Sequence, residues 1–174
     1  MSDTAKLDLD NYLPYLVNRV GTIIADQYGE EALAPFRLSI AMWRVMAALA
    51  SKGGQRQIDL AGLTSIDVST LSRLVTRLVG MGVVTRTRSA SSTREVVVKL
   101  STKGKAQVAH LIPIAHEFEA AAIAGLSPRE LTVLKSCLRR VYTNMRNRSA
   151  SQRISRAAAR GRGIRRPAAT AAAE

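Results

Sequence analysis

Apolar residues recur at steps of three and four between Val68 and Leu78, so that Val68, Leu71, Leu74, Val75 and Leu78 form one stripe of a helix facing a core. Ser69, Thr70, Arg73, Thr76 and Arg77 share the opposite face, and no acid interrupts it. Upstream, Gln57 to Leu63 predicts a short helix with apolar Ile58, Leu60 and Leu63, and with small Ala61 where two helices must approach closely. Thr64 to Asp67 supplies the turn, and either Ser65 or Asp67 caps the helix that follows. Gly82 lies just past the last apolar residue, where a left-handed C-terminal cap carries no steric penalty for glycine. Beyond it the period changes. Val83 to Thr87 is β-favouring, and Arg94 to Leu100 reads as a strand with Val96, Val98 and Leu100 on one face against Arg94, Val97 and Lys99 on the other. Arg88 to Thr93 is the small polar tip between them.

Helical spacing also marks Leu9 to Ala32, through Leu13, Leu16, Val17, Val20 and Ile24, and Ala106 to Ala124. A last helix runs from Pro128 to Asn147, with Ser127 as its cap and proline in its first turn. Its stripe of Leu131, Leu134, Leu138 and Val141 is either monomer core or partner surface. The fold class expected is mainly α with a small antiparallel β-wing: a winged helix-turn-helix lobe over about 38–100, with helical regions at 7–32 and 104–148.

This arrangement points to a polyanion. Hydroxyls and guanidinium groups on the exposed face of the 68–78 helix donate hydrogen bonds to phosphates or base edges. A ribbon carrying Arg86, Arg88 and Arg94 lays arginines along a phosphate backbone or into a narrow minor groove. An ordinary helical pair beside an exposed basic hairpin is the bland alternative. Charge favours the first reading: 26 Lys and Arg against 13 Asp and Glu give +13 over 174 residues. The segment 149–174 holds six arginines and one acid, so it carries +5 and the body keeps +8. Rich in Ala, Arg, Ser and Gly, that segment is expected to be a disordered tail, either an electrostatic arm or a solubilising appendage.

Other classes find little support. There is no phosphate-binding glycine loop, no nucleophile with a candidate base and no metal-ligand cluster, so neither an enzyme nor a metal or other cofactor is expected. No apolar run reaches the roughly 18 residues of a membrane helix, which predicts a cytoplasmic protein without a membrane partner. Cys137 is a lone cysteine, expected to be a buried small hydrophobe among Leu134, Leu138 and Val141; redox sensing is the alternative.

At these residues the chain resembles the MarR (multiple-antibiotic-resistance regulator) family of bacterial transcription factors. Leu38 to Leu49 is similar to a family helix, LSRLVTRLVGMGVVTR (71–86) to its recognition helix and exit into the wing, and VVVKLSTKG (96–104) to its second wing strand and next helix start. The likeness spans roughly 9–148. One departure is Ser92, where the family usually carries an aspartate two residues before the wing arginine, here Arg94. The resemblance implies a ligand-responsive, sequence-specific regulator of duplex DNA, a repressor released from a pseudo-palindromic operator, working over the bacterial nucleoid. It also implies a homodimer built by the terminal helices, with Leu7 to Tyr12 packing against the stretch from Leu126 to Tyr142. Two copies would read half-sites about 10 bp apart, since one lobe reads only a few base pairs. An effector pocket would be lined by Tyr15, Arg19, Trp43, Met46 and His110. Arg19 either pairs with a carboxylate or phosphate, or reaches solvent or an intersubunit partner. NYLPYLVNRVG (11–21) resembles relatives that answer to hydroxycinnamate-type acids, which implies an aromatic acid or its CoA thioester. The competing function is nonspecific, nucleoid-type DNA binding driven by the arginine-rich tail.

Overall fold

The structure is a computed structural model that describes residues 6–89 and 92–162, with the backbone alone at 88–89, 92–95 and 153–162. The chain divides into two compact units, Met1–Ala122 and Ile123–Glu174. The first contains α1 (Leu13–Tyr28), α2 (Ile40–Lys52), β1 (Gln55–Arg56), α3 (Gln57–Thr64), α4 (Val68–Gly80), β2 (Val84–Ser89), β3 (Ser92–Leu100) and α5 (Thr102–Ala122), and the second contains α6 (Pro128–Arg162).

The core of the first unit gathers one face of each element. Leu71, Val75 and Leu78 of α4 are fully buried against Met42, Val45 and Met46 of α2, Leu60 of α3, Val83, Val84 and Val98 of the wing base, and Leu111 of α5. Burial of a leucine contributes about 2 kcal/mol, so this stripe fixes which side of α4 faces outward. Two stripes depart from expectation. Val68 is 48% exposed, because it opens α4 before the helix reaches the core. In α3 the inward positions are Leu60, Ala61 and Thr64, one turn apart, which leaves Ile58 and Leu63 outside. Thr64 satisfies its buried hydroxyl by donating to the Leu60 carbonyl at 2.7 Å.

The sheet has three strands in the order β1-β3-β2, all antiparallel, rather than the two expected. Gln55 pairs with Val98 and Arg56 with Val97. Gly54 permits that approach, since a Cβ there would lie 2.7 Å from Lys99 Cγ. Past a bulge between Arg88 and Ser89, Ser89 pairs with Ser92, so the strands extend into the expected tip and only 90 and 91, outside the described residues, separate them. Val98 is buried in β3, and the two-residue period groups position 94 with 96, 98 and 100, correcting its expected grouping with 97 and 99.

Toward the N-terminus, α1 ends at Tyr28 and is followed by a π-turn at Gly29–Leu33 and a 3-10 turn at Ala34–Phe36, rather than running on as one helix to Ala32. Those turns deliver Tyr28, Ala32 and Leu33 to the core, whereas Leu13, Leu16, Val17, Val20 and Ile24 stay exposed. Helix α5 starts four residues ahead of the expected Ala106, because Ser101 Oγ accepts the Gly104 amide at 3.0 Å and caps it. With Val108 and Leu111 in the core, α5 packs into the first unit.

In the second unit, Ser127 and Glu130 form a reciprocal capping box: Glu130 Oε2 accepts the Ser127 amide at 2.8 Å, and Ser127 Oγ accepts the Glu130 amide at 3.3 Å. From there α6 runs to Arg162, past the boundary expected at 148. No glycine or proline interrupts 129–160, and Ala157, Ala158 and Ala159 are strong helix formers. Of the tail expected to be disordered, 149–162 is helical and 163–174 lies outside the described residues. Cys137, expected to be buried, is exposed, as is nearly every described side chain of α6. Among the described residues, no single helix is long and apolar enough to cross a membrane.

Candidate nucleic-acid interface

The turn before α4 is drawn tight by Ser65, whose φ of 56° places it in the left-handed region. Asp67 then caps the helix, resolving the choice between Ser65 and Asp67. Its Oδ1 accepts the Ser69 hydroxyl at 2.6 Å and the Thr70 amide at 2.9 Å. These bonds, led by the Ser69 hydroxyl, hold the Asp67 carboxyl far below the usual carboxylate range of 3.8. The cap has a consequence for recognition. Ser69 points its proton at Asp67 and Thr70 is half-buried, so both are partly committed before any ligand arrives.

Arg73 and Arg77 stand differently. Both are exposed on the outer face of α4, four residues apart and hence one above the other, and no acid follows Asp67 anywhere in the helix. They are the long, charged donors that the helix presents outward.

Arg86 turns back on the same helix. Its Nη2 donates to Thr76 Oγ1 at 2.8 Å and to the Ser72 carbonyl at 3.3 Å, while the Thr76 hydroxyl donates to that carbonyl at 3.0 Å. Two residues expected to meet DNA separately are thus bound to each other. Arg86 braces β2 against α4 and fixes the angle between the helix and the wing. The sequence reading missed this brace, because nothing in the spacing of residues 72, 76 and 86 announces a contact across two elements. Arg88 lies in β2 opposite Val96, and Arg94 lies in β3; their side chains are outside the described residues.

A second brace, also unforeseen, sits at the other end of α4. Gly82, at φ 72°, turns the chain into the wing. The Ser101 hydroxyl donates to the Gly82 carbonyl at 2.7 Å, Lys103 Nζ donates to the Met81 carbonyl at 3.0 Å, and the Ser101 amide donates to the Val83 carbonyl at 3.0 Å. Gly104 is forced by this packing, since a Cβ on it would lie 1.9 Å from the Val83 oxygen. The STKG segment therefore locks α5 to the exit of α4.

The residues expected to line an effector pocket do not share one cavity in the single chain. Met46 is fully buried in the core, and half-buried Trp43 packs on Tyr28 with ring centroids 5.9 Å apart. His110 is exposed beside Phe36 at 5.5 Å. Only Tyr15 and Arg19 are brought together, the guanidinium carbon lying 5.6 Å from the ring centroid beside a shallow depression lined by Leu16, Val20 and Ile23. A larger cleft of 570 Å³ opens between α1 and α5, with an apolar wall including Val20, Ile24 and Phe118 and with the carboxylates of Glu31 and Glu117 at its edge. None of the five expected residues lines it.

Comparison with known proteins agrees with this geometry. The family model described as "MarR family" matches residues 38–96, from the start of α2 into β3. The chain is similar to the multiple antibiotic resistance protein MarR of Escherichia coli strain K12, at 31% identity over 81 residues. That match covers 47% of this chain and 56% of the relative, so it spans little more than half of that protein's length. A MarR family transcriptional regulator from Silicibacter pomeroyi has a similar structure, with a TM-score of 0.74 and 28% identity, covering 83% of this chain and 98% of that one. Bordetella bronchiseptica BpsR, whose structure concerns regulation of DNA binding by 6-hydroxynicotinic acid, shares the fold at a TM-score of 0.68 and 23% identity, covering 75% of this chain and 98% of its own.

Proposed function

We propose that this chain is a member of the MarR family, and from that premise that it is a dimeric repressor that reads a pseudo-palindromic operator and releases it on binding a small aromatic acid or its CoA thioester. DNA-binding transcriptional regulation is the family's work; operator, effector and direction of control are particular to this protein. The observation that carries the reading is the outer face of α4. A buried stripe and two braces hold the helix, and Arg73 and Arg77 are exposed on it, with no acid after Asp67 in its sequence.

In this reading α4 lies in the major groove. Arg73 contacts a base edge, most naturally the two acceptors of a guanine, and Arg77 and Thr76 serve the adjoining bases or phosphates. Ser69 and Thr70 stand at the helix N-terminus, where a backbone phosphate approaches, and Arg88 and Arg94 carry the wing along the backbone or into the minor groove. Arg86 acts mainly through Thr76, as a positioning residue. Two copies double the contacts, and the exposed apolar faces of α1 and of α6, through Leu134, Leu138 and Val141, offer the surface for pairing. Leu7 to Tyr12 of one copy and Leu126 to Tyr142 of the other form the dimer contact.

For the effector, the adjacent Tyr15 and Arg19 combine an aromatic face with a planar cation, which suits an aromatic carboxylate. The regulation of BpsR by an aromatic acid supports that class. Trp43 and His110 complete the pocket once a second copy is present, and Met46 supports it from the core.

Selection of binding sites from random DNA, followed by band-shift titration, tests the reading. Arg73→Ala is expected to erase discrimination at one base position, at a cost of about 1 to 3 kcal/mol. Adding aromatic acids and their thioesters to the selected complex is expected to release the DNA, and Arg19→Ala to abolish that release. Equal affinity for selected and scrambled duplexes would instead identify a nonspecific nucleoid-type binder.

A further inference from the structure

Helix α6 changes character along its length. Up to Met145 it carries the exposed apolar residues Val133, Leu134, Leu138, Val141, Tyr142 and Met145. After Met145 the described helix has Ile154 as its one large aliphatic residue, and no acid occurs anywhere from Leu131 to Arg162. Arginines occur at 139, 146, 153, 156 and 160, spaced by seven, seven, three and four. At 100° per residue those spacings gather all five within about 100° of arc, and at 1.5 Å per residue they run for about 32 Å. Arg146 is exposed, with its guanidinium carbon 5.8 Å from the Tyr142 ring centroid, so the described start of the line is held against the helix surface. Arg129, Arg140, Arg148 and Arg162 fall on the opposite side of the helix by the same arithmetic.

A helix without an apolar stripe gains no stability from packing, and like charges at steps of three and four oppose it. Such a line is relieved by an extended partner of opposite charge. Each strand of duplex DNA rises about 3.4 Å per phosphate while winding round the axis, so about 32 Å spans nearly one turn and presents only some of its phosphates to a straight helix.

We infer that the arginine line of α6 is a second DNA-contacting element, which lies against phosphates of the duplex. It recognises no base sequence. It lengthens the footprint, and phosphate binding removes the repulsion that opposes the helix, so the helix and the contact stabilise each other.

The test uses the full chain and random-sequence duplexes of 16 and 40 bp, with affinity measured by fluorescence anisotropy from 50 to 300 mM salt. The wild type is expected to favour the longer duplex beyond the statistical gain in sites, with a steep salt slope. In R146Q/R153Q/R156Q/R160Q, which keeps helix propensity, the log–log slope is expected to become shallower by up to about 3.6 per protomer and the extra length preference to vanish. R148Q/R162Q, on the other side of the helix, is expected to change the slope less per charge removed. Equal loss per charge in the two variants would overturn the line as an oriented surface. An unchanged slope in the fourfold variant, or tighter binding of the wild type to single-stranded RNA or to anionic vesicles at the same salt, would overturn duplex DNA as its partner. Failure of base reading shows elsewhere, in the preference for selected over scrambled sites, and leaves this measurement intact.

Discussion

Helices α4 and α6 both carry leucine and valine at steps of three and four, yet the first buries its stripe and the second does not. Leu71, Val75 and Leu78 are fully buried, whereas Leu134, Leu138 and Val141 are 43%, 41% and 37% exposed. Periodicity announces an apolar face in each case; it does not say whose atoms cover it. What separates them is supply. α4 is surrounded within 60 residues of sequence by α2, α3, β2 and β3, all apolar on the facing side, while α6 lies in the other unit, which supplies no second described helix or strand.

Truncating the two stripes should separate these cases most sharply. Leu71→Ala is expected to cost about 3 kcal/mol of unfolding free energy in urea titration, since it leaves a cavity in a closed core. Gly104→Ala follows closely, at roughly 2 to 3 kcal/mol, because its new methyl meets the Val83 carbonyl rather than a yielding side chain. Leu138→Asp is expected to change the unfolding free energy of the first unit by less than about 0.5 kcal/mol, while raising the dimer dissociation constant at least tenfold by sedimentation. A Leu138→Asp protein that stays dimeric would break the comparison.

Smaller effects sharpen it. Arg86→Gln is expected to weaken all duplexes alike by roughly fivefold, and Arg86→Lys to do the same despite keeping its charge, because a lysine cannot reproduce the guanidinium geometry. Full rescue by lysine would return Arg86 to the role of a phosphate contact. Smallest is the cap. Asp67→Ala is expected to lower the melting temperature by a few degrees. Since bonding depresses the folded-state pKa of Asp67 below 3.8, its contribution is complete above that pH and fades as the pH falls further. The difference in melting temperature between wild type and Asp67→Ala should therefore narrow on acidification below about pH 4, and a constant difference down to pH 2 would refute the cap's ionic character.

The DNA lobe was legible because its signals are local. A 3.6-residue period gives way to a two-residue period across Gly82, and capping residues mark both ends of α4. What escaped has reach instead of pattern. β1 is two residues long, too short to show alternation, and exists by pairing with a strand more than forty positions later. The Arg86 brace joins a guanidinium to a hydroxyl and a carbonyl on another element, so Arg86 and Thr76 looked like two free donors. The apolar residues of α3 did not say which face turns inward, and Ile58 and Leu63 lie outside, because eight residues give only two turns of period. The arginines after Met145 looked unstructured because no apolar face accompanied them, although alanine-rich composition suffices for a helical backbone there.

The contact between Gly104 and the Val83 carbonyl has a mechanical reach beyond its size. With no side chain between them and three hydrogen bonds around them, the start of α5 and the exit of α4 behave as two arms of one crank. In the function proposed above, a tilt of α5 would carry α4 with it. In the dimer proposed above, that corner would pass a small displacement of α5 on to the spacing of the two α4 helices.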